Sequence, residues 1–98
     1  MEKDFLLVEL FELYKGLLTE KQRETFSLHY LYDLSLAEIA EIKNTSRNSV
    51  LDLLENAKRK LLKYEEVLSF YGKRQQIYQL LEQEDNVLSK KIIEILEK

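Results

Sequence analysis

The run Ser35-Leu36-Ala37-Glu38-Ile39-Ala40-Glu41 and the run Asn44-Thr45-Ser46-Arg47-Asn48-Ser49-Val50 that follows it after Ile42-Lys43 decide the fold. Ser35 and Glu38 make an S-x-x-E capping box, in which the hydroxyl and the carboxylate satisfy orphan N–H groups at a helix start. Leu36, Ile39 and Ala40 then face inward on a short helix predicted over about residues 36–42. Lys43-Asn44-Thr45 breaks it, and Asn44 is among the few non-glycine residues that tolerate a positive φ. Ser46 caps the next helix, predicted over 47–62, whose Val50, Leu53 or Leu54, Ala57 and Leu61 recur at helical spacing. Ala40 is small enough to let this helix cross close by, and Val50 can pack back against Ile39. Two helices joined by so short a turn are a helix-turn-helix. The second is then the recognition helix, whose N-terminal residues enter the major groove when such a unit binds DNA.

Upstream, Thr19 and Gln22 form a T-x-x-Q capping box that opens a helix over about 20–31, with Phe26 and Tyr30 on one stripe. Helices 20–31, 36–42 and 47–62 make a tri-helical unit inside a helix-turn-helix core of residues 17–63. A first helix, about 3–15, ends at Gly16, which can take the left-handed C-terminal cap. Its Leu6, Leu7, Leu10, Phe11, Leu13 and Tyr14 cannot all point one way, so it needs more than one neighbour. Downstream, the recognition helix can run to about Phe70, where Gly72 interrupts it. A final helical stretch carries Ile77, Leu80, Leu81, Leu88, Ile92 and Ile95, with Asp85-Asn86 as a break.

The expectation is one all-α domain, residues 1–98, of five to six helices. Leu81, Leu88 and Ile95 are spaced by seven, with Ile92 alongside, which can make a coiled-coil seam. The same residues could instead fold back on the first helix. Residues 1–16 and 64–98 are expected to form a second mini-core or a dimer interface, completed across a homodimer.

Composition removes several function classes. The chain has 98 residues, one domain's worth, and a single core is feasible at that size. With no proline and 2 glycines, it lacks the turn residues of an all-β fold. With no cysteine and 1 histidine, it has no disulfide framework, no thiolate and no multi-histidine metal centre. His29 has no evident acid or base partner and reads as structural. No carboxylate pair stands out as an acid–base dyad, and no glycine-rich phosphate loop is present. The chain is therefore read as non-enzymatic, without cofactor or metal. The apolar stretch Phe5 to Leu10 is far too short to span a membrane. Met1-Glu2-Lys3-Asp4 lacks the basic start of a signal peptide, so the expected compartment is the cytoplasm.

The net charge of −3 argues against a general nucleic-acid binder. It is uneven, however. Residues 43–63 hold six basic groups against two acidic ones, a net +4, whereas residues 1–42 carry −5 and residues 64–98 carry −2.

Leu18-Thr19 with Gln22-Arg23, the run Leu34 to Ala40, and Ser46-Arg47-x-x-Val50 together resemble region four of bacterial sigma factors, which binds the promoter −35 element. Tyr30 to Leu36 and Lys63 to Leu68, with one helix before the motif and a helical tail after it, bring the chain closer to the YlxM family of small sigma-region-four-like proteins. The resemblance covers about residues 5–82 and is most specific over 18–50. It implies an all-helical, non-enzymatic protein. Genes of that family typically sit beside those of the signal recognition particle GTPase and its receptor, which implies an accessory or regulatory role in that pathway.

Two readings follow. In the first, the chain binds DNA or the particle's RNA through Lys43, Ser46, Arg47, Asn48, Lys58, Arg59 and Lys63. Arginine and asparagine are the types that read guanine and adenine edges, and Arg59 and Lys63 share a helix face that can meet phosphates. In the second, the helix-turn-helix is a scaffold for protein contacts, with the particle's GTPase as a partner, through Leu51 or through Leu81, Leu88, Ile92 and Ile95. Asp52, Glu55 and the outward Leu51 depart from a sigma region-four recognition helix. Arg47 could equally pair with Glu38 or Glu41, and the 58–63 cluster could simply balance Glu55 and Glu66.

Overall fold

A computed structural model describes residues 4–97 as six α-helices: α1 Phe5–Tyr14, α2 Glu20–Phe26, α3 Leu36–Lys43, α4 Arg47–Leu68, α5 Phe70–Leu81 and α6 Val87–Leu96. Among the described residues no strand forms, and the all-α class holds. None of these helices is long and apolar enough to cross a membrane.

Most helix starts lie where the capping chemistry puts them. Thr19 accepts from the Gln22 N–H while Gln22 Oε1 accepts from the Thr19 N–H at 3.1 Å, and Ser35 and Glu38 make the same reciprocal pair. Ser46 caps α4, and Asn86 caps α6. Asn44 sits at φ 53°, ending α3 in the left-handed region, and the Thr45 N–H donates back to the Ala40 carbonyl at 2.9 Å.

The glycines behave otherwise. No glycine has a positive φ; that conformation falls to Asp33, Asn44 and Ser69. Gly16 lies in a 3-10 turn, Lys15–Leu17, that follows α1. Gly72 lies inside α5, and the predicted break there is instead at Ser69, φ 55°. The helix expected over 20–31 also changes register. After Phe26 it widens into a π-helical turn, Ser27–Leu31. The Tyr32 N–H reaches the Ser27 carbonyl at 3.1 Å. His29 Nδ1 lies 2.8 Å from the Leu34 carbonyl oxygen. A carbonyl only accepts, so Nδ1 carries the proton, and His29 closes this turn.

The core is built from α1, α2, α3 and α4. Phe26 is fully buried and stacks on Phe11 and on Tyr30, each at 4.4 Å between ring centroids. Ile39, Val50, Leu54, Ala57 and Leu61 complete the helix-turn-helix side. Leu7, Leu10, Phe11 and Tyr14 enter this same core, so α1 packs these side chains on the helix-turn-helix.

Helices α5 and α6 form an arm. The molecule measures 53 × 25 × 22 Å with a radius of gyration of 16.6 Å, against about 13 Å for a compact chain of this length. A hydrogen-bonded junction sets the arm's direction. Tyr14 Oη donates to Glu65 Oε1 at 2.6 Å and accepts from the Phe70 N–H at 3.2 Å. Glu65 also accepts from the Tyr71 and Gly72 N–H groups, both at 3.0 Å. One carboxylate on α4 thus satisfies the exposed donors at the start of α5, where a helix leaves N–H groups unpaired. Burial works against the Glu65 charge, but these hydrogen bonds and the Arg74 guanidinium outweigh it and hold the carboxyl below its usual range. Burial, and then the bond to Glu65, raises the Tyr14 phenol.

The seven-residue seam is not continuous. Leu81 is the last residue of α5, and Leu88 and Ile95 lie on α6 beyond a break at residues 82–86.

Candidate nucleic-acid interface

The α3–α4 unit presents the first turns of α4 outward. Asn44 in the left-handed region turns the chain, and Ser46 sets the entry into α4. Its hydroxyl accepts from the Ser49 N–H at 3.0 Å and donates to Ser49 Oγ at 2.9 Å. Ser46 is therefore first a cap, and any contact it makes with a ligand competes with that task. Arg47 and Asn48 follow, both exposed. Among the described residues no carboxylate lies within ion-pair distance of Arg47, so the pairing with Glu38 or Glu41 does not form.

The remaining basic residues are less free than their number suggests. Lys43 is bonded to Glu24 across the α2–α3 gap. That bond and the lysine's charge hold the Glu24 carboxyl below its usual range. Lys60 Nζ turns toward α2 and donates to Gln22 Oε1 at 3.2 Å. Arg59 donates to Asn56 Oδ1 at 2.7 Å. Lys63 lies 4.0 Å from Glu66. Both members of that pair are solvated, so it contributes little.

Helical spacing sorts the α4 side chains further. With 100° per residue and the core on the Val50–Leu54–Ala57–Leu61 stripe, Asn48, Asp52, Glu55, Arg59 and Lys63 lie on the outermost face. Two carboxylates therefore sit between the basic groups that would follow a phosphate backbone. Arg47, Leu51, Lys58 and Leu62 share one edge beside that face, and Leu51 and Leu62 are 40% and 51% exposed. The structure thus divides the +4 segment into a free terminal turn at Arg47-Asn48 and a mixed-charge face beyond it. Leu62 was not singled out from sequence; its spacing of eleven from Leu51 is the signal that places it on the same edge.

His29 is taken up by the turn it closes, and among the described residues no group of three acidic or histidine side chains could hold a metal ion.

The fold and this exposed second helix define the class: a helix-turn-helix protein. The whole chain, residues 1–98, matches the family UPF0122, described as "Putative helix-turn-helix protein, YlxM / p13 like". It is 44% identical over 96 residues to a UPF0122 protein of Ureaplasma urealyticum serovar 10, covering 95% of each chain. It is 46% identical over 83 residues to a UPF0122 protein of Caldanaerobacter subterraneus, covering 84% of this chain and 71% of that one. A UPF0122 protein of Clostridium botulinum is 47% identical over 73 residues, 74% and 67% of the two chains. The chain belongs to the UPF0122 family.

Proposed function

We propose that the protein is a non-enzymatic regulatory or accessory factor that contacts nucleic acid with the first turns of α4. The observation that carries this reading is the pair Arg47-Asn48. Both are exposed immediately after the Ser46 cap, at the end of the helix that such units insert into a groove. Lys58 lies along the same edge of α4 as Arg47 and supplies a phosphate contact. The carboxylates of Asp52 and Glu55 repel a backbone beyond that turn, so the contact is short and weak in phosphates. By its resemblance to the YlxM family, the ligand to try first is the RNA of the signal recognition particle, beside duplex DNA. The work then lies in the cytoplasm.

A second reading has its own support. Leu51 and Leu62 expose apolar surface along that same edge, which suits a protein partner, with the signal recognition particle GTPase the first to test.

The experiment is a titration of the protein into labelled duplex DNA and labelled particle RNA at two salt concentrations, read by anisotropy. Binding that falls with salt, with a log–log slope of about −1 to −3 and reduced by about 1 in the double variant Arg47→Ala/Lys58→Ala, is the expected result. Absence of binding to either at low salt would refute the nucleic-acid reading and leave the protein-partner one.

A further inference from the structure

A half-open cavity lies between α2, the end of α3 and the start of α4. Val50 and Leu53 of α4 and Thr25 of α2 are buried or half-buried and form its floor. Lys21 and Glu24 of α2, Lys43 of α3 and Thr45 of the turn are exposed and form its rim. Its volume is about 220 Å³. That is several times the ~30 Å³ share of one water, yet below the about 300–1,000 Å³ of sites that enclose drug-sized ligands. It suits one ring-sized group entering from a larger molecule.

The lining sets the chemistry of that group. The floor takes an apolar face, whereas the rim asks for a polar edge and a negative charge. Lys43 and Glu24 are bonded to each other at the rim. After that bond the ammonium keeps two donors and the carboxylate keeps acceptor capacity, so the pair presents both hydrogen-bonding roles. Among the described residues no carboxylate lies within ion-pair distance of Lys21, and its charge is left for an anion. A ring with donors and acceptors on its edge and an anion attached is a nucleotide. An apolar amino-acid side chain would leave the rim unanswered.

Position points the same way. Thr45 stands two residues before Arg47 and Val50 three after it, so the cavity opens beside the first turns of α4. At 100° per residue, Leu53 lies about 200° around α4 from Leu51, away from the edge that suits a protein partner. Asp52 and Glu55 oppose a duplex laid along α4, whereas a single base needs only its start. A base stacked within a duplex cannot enter a cavity, but one splayed from an RNA loop or bulge can.

From these features we infer that the cavity holds one unpaired base of a structured RNA, with an adjoining phosphate on Lys21. The inference rests on the nucleic-acid reading of α4 and narrows its ligand to RNA with an unpaired base. Val50 and Leu53 pack one face of the base, and the Lys43–Glu24 pair meets its edge. Every base has a face to pack and carries donor and acceptor groups, so the site reads that a base is unpaired and not which base it is.

The probes are two labelled RNA hairpins of one sequence, alike except for a single uridine bulged from the stem of one. Each is titrated with the full chain at one low salt concentration and read by anisotropy. The bulged hairpin should bind about tenfold more tightly than the paired one. Leu53→Phe fills the cavity from its floor and should abolish that preference. Lys21→Ala, at an exposed position, should reduce it with the melting temperature unchanged, and it decides the matter if Leu53→Phe does not fold. Arg47→Ala should weaken both hairpins by the same factor. Equal binding of the two hairpins by the wild-type chain would overturn the base site and leave the nucleic-acid reading standing, as would a preference that Lys21→Ala and a folded Leu53→Phe both retain. Absence of binding to either hairpin would overturn both. Competition by free uridine 5′-monophosphate at a concentration equal to that of the bulged hairpin would make the occupant a free nucleotide and overturn its assignment to RNA.

Discussion

The body, α1 to α4, and the arm, α5 and α6, follow different rules. In the body every helix has an apolar stripe that meets another stripe, and the buried side chains form one cluster. In the arm, α5 buries no residue and α6 buries only Ser89. Yet α6 is the more clearly amphipathic of the two, with Leu88, Ile92 and Ile95 in register. Amphipathic pattern therefore marks which face of a helix needs cover, not whether the same chain supplies it. The body is stabilised by burial. The arm is oriented by the hydrogen bonds at its root.

A large-to-small substitution breaks this contrast most sharply. Phe26 is fully buried between Phe11 and Tyr30. Phe26→Ala leaves a cavity that helices fixed on three sides cannot close, and should cost about 3–5 kcal/mol. Leu80→Ala, at an exposed position on α5, should change stability by less than about 0.5 kcal/mol. Chemical denaturation of both variants measures the difference. Equal losses would mean that the arm is packed as the body is.

The body was legible in the sequence because its signals are local and redundant. Ser35, Glu38, Asn44 and Ser46 each fix one backbone event, and the apolar stripes agree with them. The arm was less so. Its direction depends on Tyr14 meeting Glu65 and the start of α5, 51 and 56 residues further along the chain, a meeting that no local pattern announces. The recognition helix was legible as a helix, but the availability of its charges was not. Lys43 and Lys60 are occupied by Glu24 and Gln22, residues about twenty and forty positions upstream. The π-helical turn at Ser27–Leu31 carries no proline or glycine to betray it.

The junction gives an intermediate effect with a pH signature. Glu65→Gln keeps the size of the side chain but sets an amide N–H₂ against donors that now meet a carboxylate oxygen. It should cost about 1–3 kcal/mol at neutral pH. The folded-state carboxyl lies below its ordinary value of 4.5, so its contribution is complete above that pH and is lost as pH falls through the folded-state value. The melting-temperature gap between wild type and Glu65→Gln should therefore be widest near pH 7 and narrow below about pH 4.5. Comparing the two proteins cancels the acid sensitivity that Glu24 and Glu38, also held below their usual range, bring to both. A gap that stayed constant with pH would remove the charge of Glu65 from the account.

The smallest effect concerns the residue at which body becomes arm. Ser69 holds φ 55°, a region where a side chain costs an L-residue roughly 1–2 kcal/mol. Its N–H still donates to the Glu65 carbonyl at 2.8 Å, so the conformation is kept by the bonds around it. Ser69→Gly removes the steric cost but adds freedom to the unfolded chain, leaving a net gain of about 0.5–1 kcal/mol. Gly72→Ala makes the reciprocal test. Gly72 is helical, and an added Cβ would meet Glu65 Oε2 at 3.5 Å, an ordinary contact. The alanine should be tolerated and should even favour α5 by roughly 0.5–1 kcal/mol. If instead Ser69→Gly destabilised and Gly72→Ala broke the arm, the helix would turn at the glycine after all, and the carboxylate of Glu65 would no longer be what aims the arm.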